Sequence, residues 1–163
     1  PPGMEVIRVT TAAEMAAVVF ERAKTMEVIV KSAAVADFKP STYASHKVKK
    51  TQQGFHLDLV KNTDILTELG KNRFPGQVLV GFAAESRDHV SEGQRKLREK
   101  NLDLIVVNDI LGAKTGFDVE TNQVTLIDRQ ASASLPMLSK EATANRIWDK
   151  VVLLLGERSD NEV

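Results

Sequence analysis

The sequence predicts an α/β fold, Rossmann-like, in which a mostly parallel sheet carries helices on both faces and a protruding β-arm or flap. Three short apolar segments, at residues 27–30, 77–81 and 104–107, alternate with longer segments of helical periodicity. Continuous apolar strands bracketed by helices indicate a parallel sheet that is covered on both faces. The less regular stretch 38–60 interrupts this alternation, because Gly54 separates a lysine-rich part from alternating residues. This stretch therefore predicts the arm or flap.

The elements before the arm carry clear boundary signals. Residues 6–9 read Val-Ile-Arg-Val and predict a short strand. Thr11 and Glu14, three residues apart, form a capping box that starts a helix reaching about Lys24. The strand at 27–30 follows, and the small residues after it would let a flat ligand or another backbone come close.

Beyond the arm the alternation resumes. A helix is predicted to begin near Asn62 or Thr63, and the strand 77–81 ends at Phe82. A charged helix at 90–101 then leads into the apolar strand 104–107.

The last part of the chain adds one strand and one helix. Residues 123–127 alternate between apolar and polar and predict an added antiparallel strand. A helix is predicted from about Ser139. Its apolar face is predicted to consist of Ile147, Trp148, Val151, Val152 and Leu155.

Composition limits the functional classes. The 163 residues predict a single domain over 1–163, with 42% hydrophobic residues and a formal net charge of +0. This balance argues against a general nucleic-acid binder. Because the chain has no cysteine, disulfides, thiolate metal sites and a cysteine nucleophile are excluded. No apolar run approaches the roughly 20 residues that span a bilayer, so we expect no membrane association and a cytoplasmic location.

Two features suggest an anionic ligand. Asp37 follows the strand 27–30, where the crevice of an open α/β sheet lies, and is placed for a ribose, a metal or a proton transfer. The alternative is that Asp37 caps a turn before Pro40. A lysine cluster at 47–50 follows, although such clusters usually form a solvated face.

Lys96 and Lys100 stand four residues apart and share a helix face, which suits two cations approaching one polyanion. Glu92 lies four residues before Lys96, so an exposed ion pair is the simpler interpretation. Asn62 or Thr63 likewise suits a helix N-cap with Asp64 in the first turn, and the same position suits an anion site.

Five motifs together resemble bacterial phosphopantothenoylcysteine synthetase, in that family's order and over nearly the whole chain. They are Ala33-Ala34-Val35-Ala36-Asp37-Phe38, Lys47-Val48-Lys49-Lys50, Lys61-Asn62-Thr63-Asp64-Ile65, Gly81-Phe82-Ala83-Ala84-Glu85 and Lys100-Asn101-Leu102-Asp103.

The resemblance implies a ligase of coenzyme A biosynthesis. In this family the carboxylate of 4′-phosphopantothenate attacks the α-phosphate of CTP, giving an acyl-cytidylate and pyrophosphate. The amine of cysteine then forms the amide and releases CMP. A divalent metal, usually Mg²⁺, helps to neutralise the like charges that meet in the first step. CTP rather than ATP is inferred from the bacterial motifs alone.

The resemblance also assigns residues. It makes Lys47 the catalytic residue, on a strap that reaches over an active site of the partner subunit in a homodimer. Asp37 is implied to bind a ribose hydroxyl or the metal, and Glu85 is a weaker candidate for a supporting acid. The full set implied to bind the nucleotide is Ala33, Ala34, Asp37, Lys47, Lys61, Asn62, Thr63, Asp64, Phe82, Lys96 and Lys100.

The family carries a strand, a helix and a glycine-rich phosphate loop before the position that matches Pro1, and we expect that segment to be missing here. Many bacterial members are also fused to a flavin-dependent decarboxylase. Two other functional classes stay open. The chain is alternatively a nucleotide-binding or regulatory module without catalysis, or a dimerisation module, and affinity for CTP separates these two.

Overall fold

The computed structural model describes residues 3–43, 46, 56–85, 88–109 and 121–159. Four helices and nine strands lie in these ranges. In chain order they are α1 Ala12–Ala23, β1 Val28–Lys31, β2 Phe38–Pro40, β3 Leu59–Lys61, α2 Ile65–Lys71, β4 Val78–Glu85, α3 His89–Glu99, β5 Leu104–Asp109, β6 Thr121–Asn122, β7 Val124–Asp128, β8 Ser132–Ser134, β9 Leu138–Ser139 and α4 Lys140–Ser159.

The central sheet has five strands in the order β1-β4-β5-β7-β8. Strands β1, β4 and β5 are parallel, with Val30 opposite Val80 and Val80 opposite Leu104. Strands β7 and β8 are antiparallel additions at one edge. The predicted α/β class with a mostly parallel sheet is confirmed, and so is the antiparallel strand predicted at 123–127.

Alternate residues of the strands build a core on each face of the sheet. In β4, Leu79 packs with the core that includes residues of α1, α2 and α3. Its neighbours Val78 and Val80 pack on the other face against Ile147 and Val151 of α4. Helices therefore cover both faces, as predicted, and each fully buried aliphatic side chain contributes about 1.5–3 kcal/mol.

The described ends of the predicted arm form a two-stranded antiparallel ribbon outside the central sheet. Phe38 of β2 pairs with Lys61 of β3, and Pro40 pairs with Leu59. All the residues of both strands are exposed. We call this β2–β3 ribbon the arm; the lysine cluster at 47–50 lies outside the described residues.

Three predicted details near the ends of elements are wrong. Residues 6–9 form no strand, because no strand in the described part of the chain pairs with them. Helix α2 begins at Ile65 with Asp64 as its N-cap, two or three residues later than predicted. Strand β4 continues past Phe82 to Glu85, where it still pairs with β5.

Helix α4 only partly follows its predicted apolar face. Ile147 and Val151 are buried, whereas Trp148 is 52% exposed and Val152 is 63% exposed. In the described ranges, no helix combines the length and the apolar character needed to cross a membrane.

Candidate functional site

A pocket of about 250 Å³ opens at the carboxyl ends of the parallel strands β1 and β4. Loops that follow parallel strands meet at this edge of an open α/β sheet, which is where such folds bind ligands. The lining residues are Lys31, Ala33, Ala34, Val35, Ala36, Asp37, Asn62, Thr63, Asp64, Ile65, Leu66, Phe82, Ala83, Ala84, Lys96 and Lys100. Small-molecule pockets usually measure roughly 300–1,000 Å³, so this one is slightly smaller than the usual range.

Asn62 joins the loop after β1 to the segment before α2. Its backbone N–H donates to the Asp37 carbonyl at 2.8 Å, and its side-chain Nδ2 donates to the Ala36 carbonyl, also at 2.8 Å. These bonds hold Ala36 and Asp37 against the start of the α2 segment. Asn62 therefore fixes the loop after β1 by hydrogen bonds, and the N-cap of α2 is Asp64 rather than Asn62 or Thr63.

Asp64 performs two tasks with its two carboxylate oxygens. Oδ1 accepts a hydrogen bond from the Thr67 backbone N–H at 3.1 Å, which caps α2, and Oδ2 accepts one from Lys100 Nζ at 2.8 Å. Burial alone raises the pKa of Asp64, but the hydrogen bonds from Lys100 and Thr67 outweigh it, so the net pKa is lowered. The carboxylate thus stays ionised and keeps Lys100 at the pocket.

Lys96 is paired with an acid from the sheet rather than with its helix neighbour. Its Nζ donates to Glu85 Oε1 at 2.5 Å, and Glu85 ends β4. The simpler interpretation, an exposed pair with Glu92, is wrong, because Glu92 binds Arg95. Lys96 is therefore directed toward the carboxyl end of β4. Both predicted lysines, Lys96 in α3 and Lys100 directly after it, line the same pocket.

The sequence analysis missed Lys31 as a site residue. It ends β1, lines the pocket and donates from Nζ to the Ala33 carbonyl at 3.0 Å. Burial lowers the pKa of the Lys31 ammonium, and the charge of Lys100 lowers it further, against smaller opposing effects of Asp64 and Asp37. The signal was available, because a lysine interrupts an apolar strand at its carboxyl end.

One described residue of the predicted nucleotide-binding set does not line the pocket. Lys61 lies in β3 of the arm and is exposed outside the lining. Lys47 lies outside the described residues, so its role stays a prediction. All the other residues predicted to bind the nucleotide line the pocket, including Phe82, which is 36% exposed.

Asp37 is the predicted metal ligand. In the described part of the chain its carboxylate takes part in no hydrogen bond or ion pair, and it lies at the pocket. No group of three or more His, Cys, Asp or Glu side chains able to hold a metal ion occurs among the residues that are described. Mg²⁺ is commonly held by one or two carboxylates, several waters and substrate phosphates, so one oxygen ligand at this position fits an ion that arrives with a nucleotide.

A larger cavity of about 570 Å³ lies at the opposite edge of the sheet, between α3 and the turn from β7 to β8. Arg98, Arg129 and Gln130 are among its lining residues. None of the residues predicted to bind the nucleotide lines it. The smaller pocket is the better candidate because it gathers several lysines and two carboxylates where ligands of α/β folds bind.

Comparison with known proteins identifies the family to which this chain belongs. The family described as DFP, the DNA/pantothenate metabolism flavoprotein C-terminal domain, matches residues 1–154. The Coenzyme A biosynthesis bifunctional protein CoaBC of Bacillus subtilis (strain 168) is 41% identical over 164 residues, covering 98% of this chain and 40% of that protein. CoaBC of Mycobacterium tuberculosis is 37% identical over 166 residues, with 95% and 40% covered. The chain therefore spans about two fifths of the length of these relatives.

Solved structures give the same result. The crystal structure of the C-terminal domain of Coenzyme A biosynthesis bifunctional protein CoaBC has a TM-score of 0.78 at 29% identity, covering 96% of this chain and 69% of that one. The DNA/pantothenate metabolism flavoprotein from Streptococcus pneumoniae has a TM-score of 0.73 at 22% identity, with 94% and 73% covered, and shows the shared fold. The chain belongs to the DFP family, the C-terminal domain of DNA/pantothenate metabolism flavoproteins.

Proposed function

We propose that this chain is a phosphopantothenate–cysteine ligase that uses CTP. The carboxylate of 4′-phosphopantothenate attacks the α-phosphate of CTP, and pyrophosphate leaves. The amine of cysteine then attacks the acyl carbon of the acyl-cytidylate, forming the amide and releasing CMP. Membership of the DFP family and relatives named for coenzyme A biosynthesis support this proposal.

The observation that carries the proposal is the meeting of Lys96 and Lys100 with the Asp37 loop in one pocket. The first step brings a carboxylate to a triphosphate, so like charges must be neutralised before the reacting atoms can approach. Ammonium groups fixed at the pocket supply that stabilisation without reorganising during the reaction. Since Glu85 and Asp64 already hold the two lysines in place, their side-chain freedom is reduced before the ligand arrives.

The loop after β1 has the size and polarity expected for the nucleoside part of CTP. The side chains of Ala33 and Ala34, which line the pocket, are single methyl groups and would leave room for a pyrimidine or ribose. Asp37 would accept from a ribose hydroxyl or hold Mg²⁺ beside the phosphates. Bound there, Mg²⁺ would withdraw charge from the phosphate oxygens and favour departure of pyrophosphate.

Lys47 completes the proposal as the catalytic cation. It would come from the partner subunit of a homodimer and pair with phosphate oxygens as a point charge. The proposal also includes that the chain is fused to a flavin-dependent decarboxylase and that the protein is cytoplasmic.

The direct test is nucleotide cleavage by the purified protein supplied with Mg²⁺, 4′-phosphopantothenate, cysteine and either CTP or ATP. We expect CMP only when CTP and phosphopantothenate are both present, and the amide product only when cysteine is added. AMP formed from ATP would contradict the CTP preference. CTP binding without any cleavage would favour the alternative of a nucleotide-binding module.

Matched lysine variants assign the turnover to the site. Lys100→Gln and Lys47→Gln should each lower the rate of CMP formation at least tenfold, on the order of a lost charge-assisted hydrogen bond. Lys24→Gln, on the exposed end of α1, is the control that should leave the rate unchanged. A Lys47→Gln rate equal to wild type would remove Lys47 from the mechanism.

A further inference from the structure

Lys31 differs from the other two lysines of the pocket in its charge balance. Lys96 is paired with Glu85 at 2.5 Å and Lys100 with Asp64 at 2.8 Å. Among the described residues, no carboxylate lies within ion-pair distance of Lys31 Nζ, whose hydrogen-bond acceptor is the Ala33 carbonyl. Lys31 therefore supplies positive charge that no described acid balances by contact.

The hydrogen bonds of Lys31 leave donors for a ligand. An ammonium group has three N–H donors, and the Ala33 carbonyl takes one of them at 3.0 Å. The side chain is only partly accessible to water, so the remaining donors are incompletely solvated. A partly buried cation without a balancing anion is unfavourable, and an anionic ligand in the pocket would relieve that cost.

The position of Lys31 selects the kind of anion. Lys31 lines the same pocket as Asp37 and Lys100, and the charge of Lys100 lowers the pKa of Lys31, so the two ammonium groups repel each other. Two neighbouring ammonium groups of like charge are stabilised together by a ligand that carries several negative charges along its length. A polyphosphate meets that description better than a single carboxylate does.

We propose that Lys31 binds the phosphate chain of the nucleotide, beside Lys100 and Lys96. This inference rests on the proposed function, because it takes the nucleotide to be the ligand of the pocket. Lys31 is then the cation that is ready to bind in the free protein, whereas Lys96 and Lys100 must share their hydrogen bonds with Glu85 and Asp64. Burial first, and then the charge of Lys100, lower the pKa of Lys31, which agrees with a partly buried cation beside a second cation.

The test measures binding rather than turnover. Affinities for CTP, CMP and inorganic tripolyphosphate are determined by calorimetry for the wild-type protein and for Lys31→Gln, Lys31→Arg and the control Lys24→Gln. We expect Lys31→Gln to weaken CTP and tripolyphosphate about tenfold or more and CMP much less. Lys31→Arg keeps the charge and should retain most of the affinity, and Lys24→Gln should match wild type.

A second measurement needs no variant and so does not depend on the folding of a mutant. Limited acetylation followed by mass spectrometry should modify Lys31 in the free protein and not in the presence of saturating CTP. Lys24 should be acetylated equally in both conditions. A Lys31 that is acetylated to the same extent with and without bound CTP would overturn the proposal.

The outcomes separate this inference from the function on which it rests. If wild-type protein binds CTP and Lys31→Gln keeps the wild-type ratio of CTP to CMP affinity, Lys31 acts only through the Ala33 carbonyl and the inference is wrong. If wild-type protein binds neither CTP nor tripolyphosphate, the proposed function fails together with the inference.

Discussion

Gly70 of α2 lies so close to Lys100 that a Cβ atom on Gly70 would be 1.9 Å from the Lys100 carbonyl oxygen. Asn101 fastens the same contact, since its Nδ2 donates to the Gly70 carbonyl at 2.8 Å. Asn101 itself has a φ of 51°, a left-handed conformation that asparagine tolerates better than most residues. The absence of a side chain at Gly70 thus sets how closely the helix that carries Asp64 as its cap approaches Lys100.

Gly70→Ala should therefore destabilise the protein by at least about 2 kcal/mol, because the obstructing atom is backbone and cannot rotate away. It should also weaken CTP binding, since relief of the clash displaces Lys100. Gly156→Ala is the matched control in α4, where an added Cβ meets nothing within 4 Å. That control should stabilise by up to about 1 kcal/mol, as alanine favours helix more than glycine does. Urea unfolding of both variants checks this prediction, and equal stabilities would contradict it.

Lys100→Gln should separate ligand binding from stability. The Lys100–Asp64 pair is partly exposed, with side chains 28% and 47% accessible, so its loss should cost less than about 1 kcal/mol of unfolding free energy. The same change removes a pocket cation that we propose binds the nucleotide, and it should lower CTP affinity about tenfold or more. Calorimetry measures the CTP affinity, and urea unfolding measures the free energy of unfolding. A double-mutant cycle with Asp64→Asn gives the energy of the Lys100–Asp64 pair. A stability loss without any affinity loss would show that Lys100 only supports the α2 cap.

Asp103 belongs to the same sequence motif as Lys100 but lies at the amino end of β5, opposite the end at which the pocket opens. Its carboxylate accepts from Arg73 and from the Leu79 backbone N–H, and the two side chains of the ion pair are 5% and 13% exposed. Asp103→Ala would leave the buried Arg73 charge unbalanced and should cost about 3–5 kcal/mol. Glu68→Gln, which breaks the exposed pair with Lys71, should cost under about 1 kcal/mol.

Thermal and urea unfolding measure these two costs. Because Asp103 lies far along the strands from the pocket, the folded fraction of Asp103→Ala should keep wild-type affinity for CTP. If Asp103→Ala bound CTP more weakly than wild type under conditions where the variant is fully folded, Asp103 would instead have a part in the site.

Asp128 predicts a pH dependence of stability. It is buried, with Oδ1 accepting from the Gln130 and Ala131 backbone N–H groups and Oδ2 paired with Lys150 at 2.5 Å. Burial alone raises its pKa, but the Lys150 and backbone hydrogen bonds outweigh this effect, so the pKa in the folded protein is lowered. Its stabilising contribution is therefore complete above the unfolded-state value of about 3.9 and is lost as pH falls through the folded-state pKa.

Asp128→Asn keeps an oxygen for the two backbone donors but loses the charge opposite Lys150. We expect it to cost about 1–3 kcal/mol between pH 5 and 8, with the difference from wild type shrinking below about pH 4. Urea unfolding across this pH range measures the difference. A cost that stays constant down to pH 2 would mean that the ionised form of Asp128 makes no special contribution.

Local signals predicted the fold well, and contacts between distant segments account for most of the errors. The capping box of Thr11 and Glu14 is present as expected, because it depends only on residues three apart. Residues 62–64 are all good N-caps, and the choice of Asp64 is stabilised by Lys100, 36 residues away. Lys96 bonds Glu85 rather than Glu92 because β4 extends beyond the length that its apolar run indicated.

The candidate site shows the same division. The resemblance found residues that line the pocket, such as Asp37 after β1 and Phe82 within β4, since both lie toward the carboxyl ends of strands that the sequence predicted. It did not include Lys31, although a lysine at the carboxyl end of an apolar strand is visible in the sequence. Trp148 and Val152 follow the helical period and are nevertheless exposed. The period of the apolar residues predicts which face of α4 is apolar, but not how much of that face the sheet covers.

The two hydrogen bonds of Asn62 have a mechanical consequence. The chain enters the arm after Asp37 and leaves it before Asn62, and these two points are fastened to each other. The two ends of the arm are therefore joined at its base and would move as one unit if the arm bent. Any change in the angle of the arm would displace the loop after β1 and the start of α2 together, and would preserve the spacing between the Asp37 and Asp64 segments.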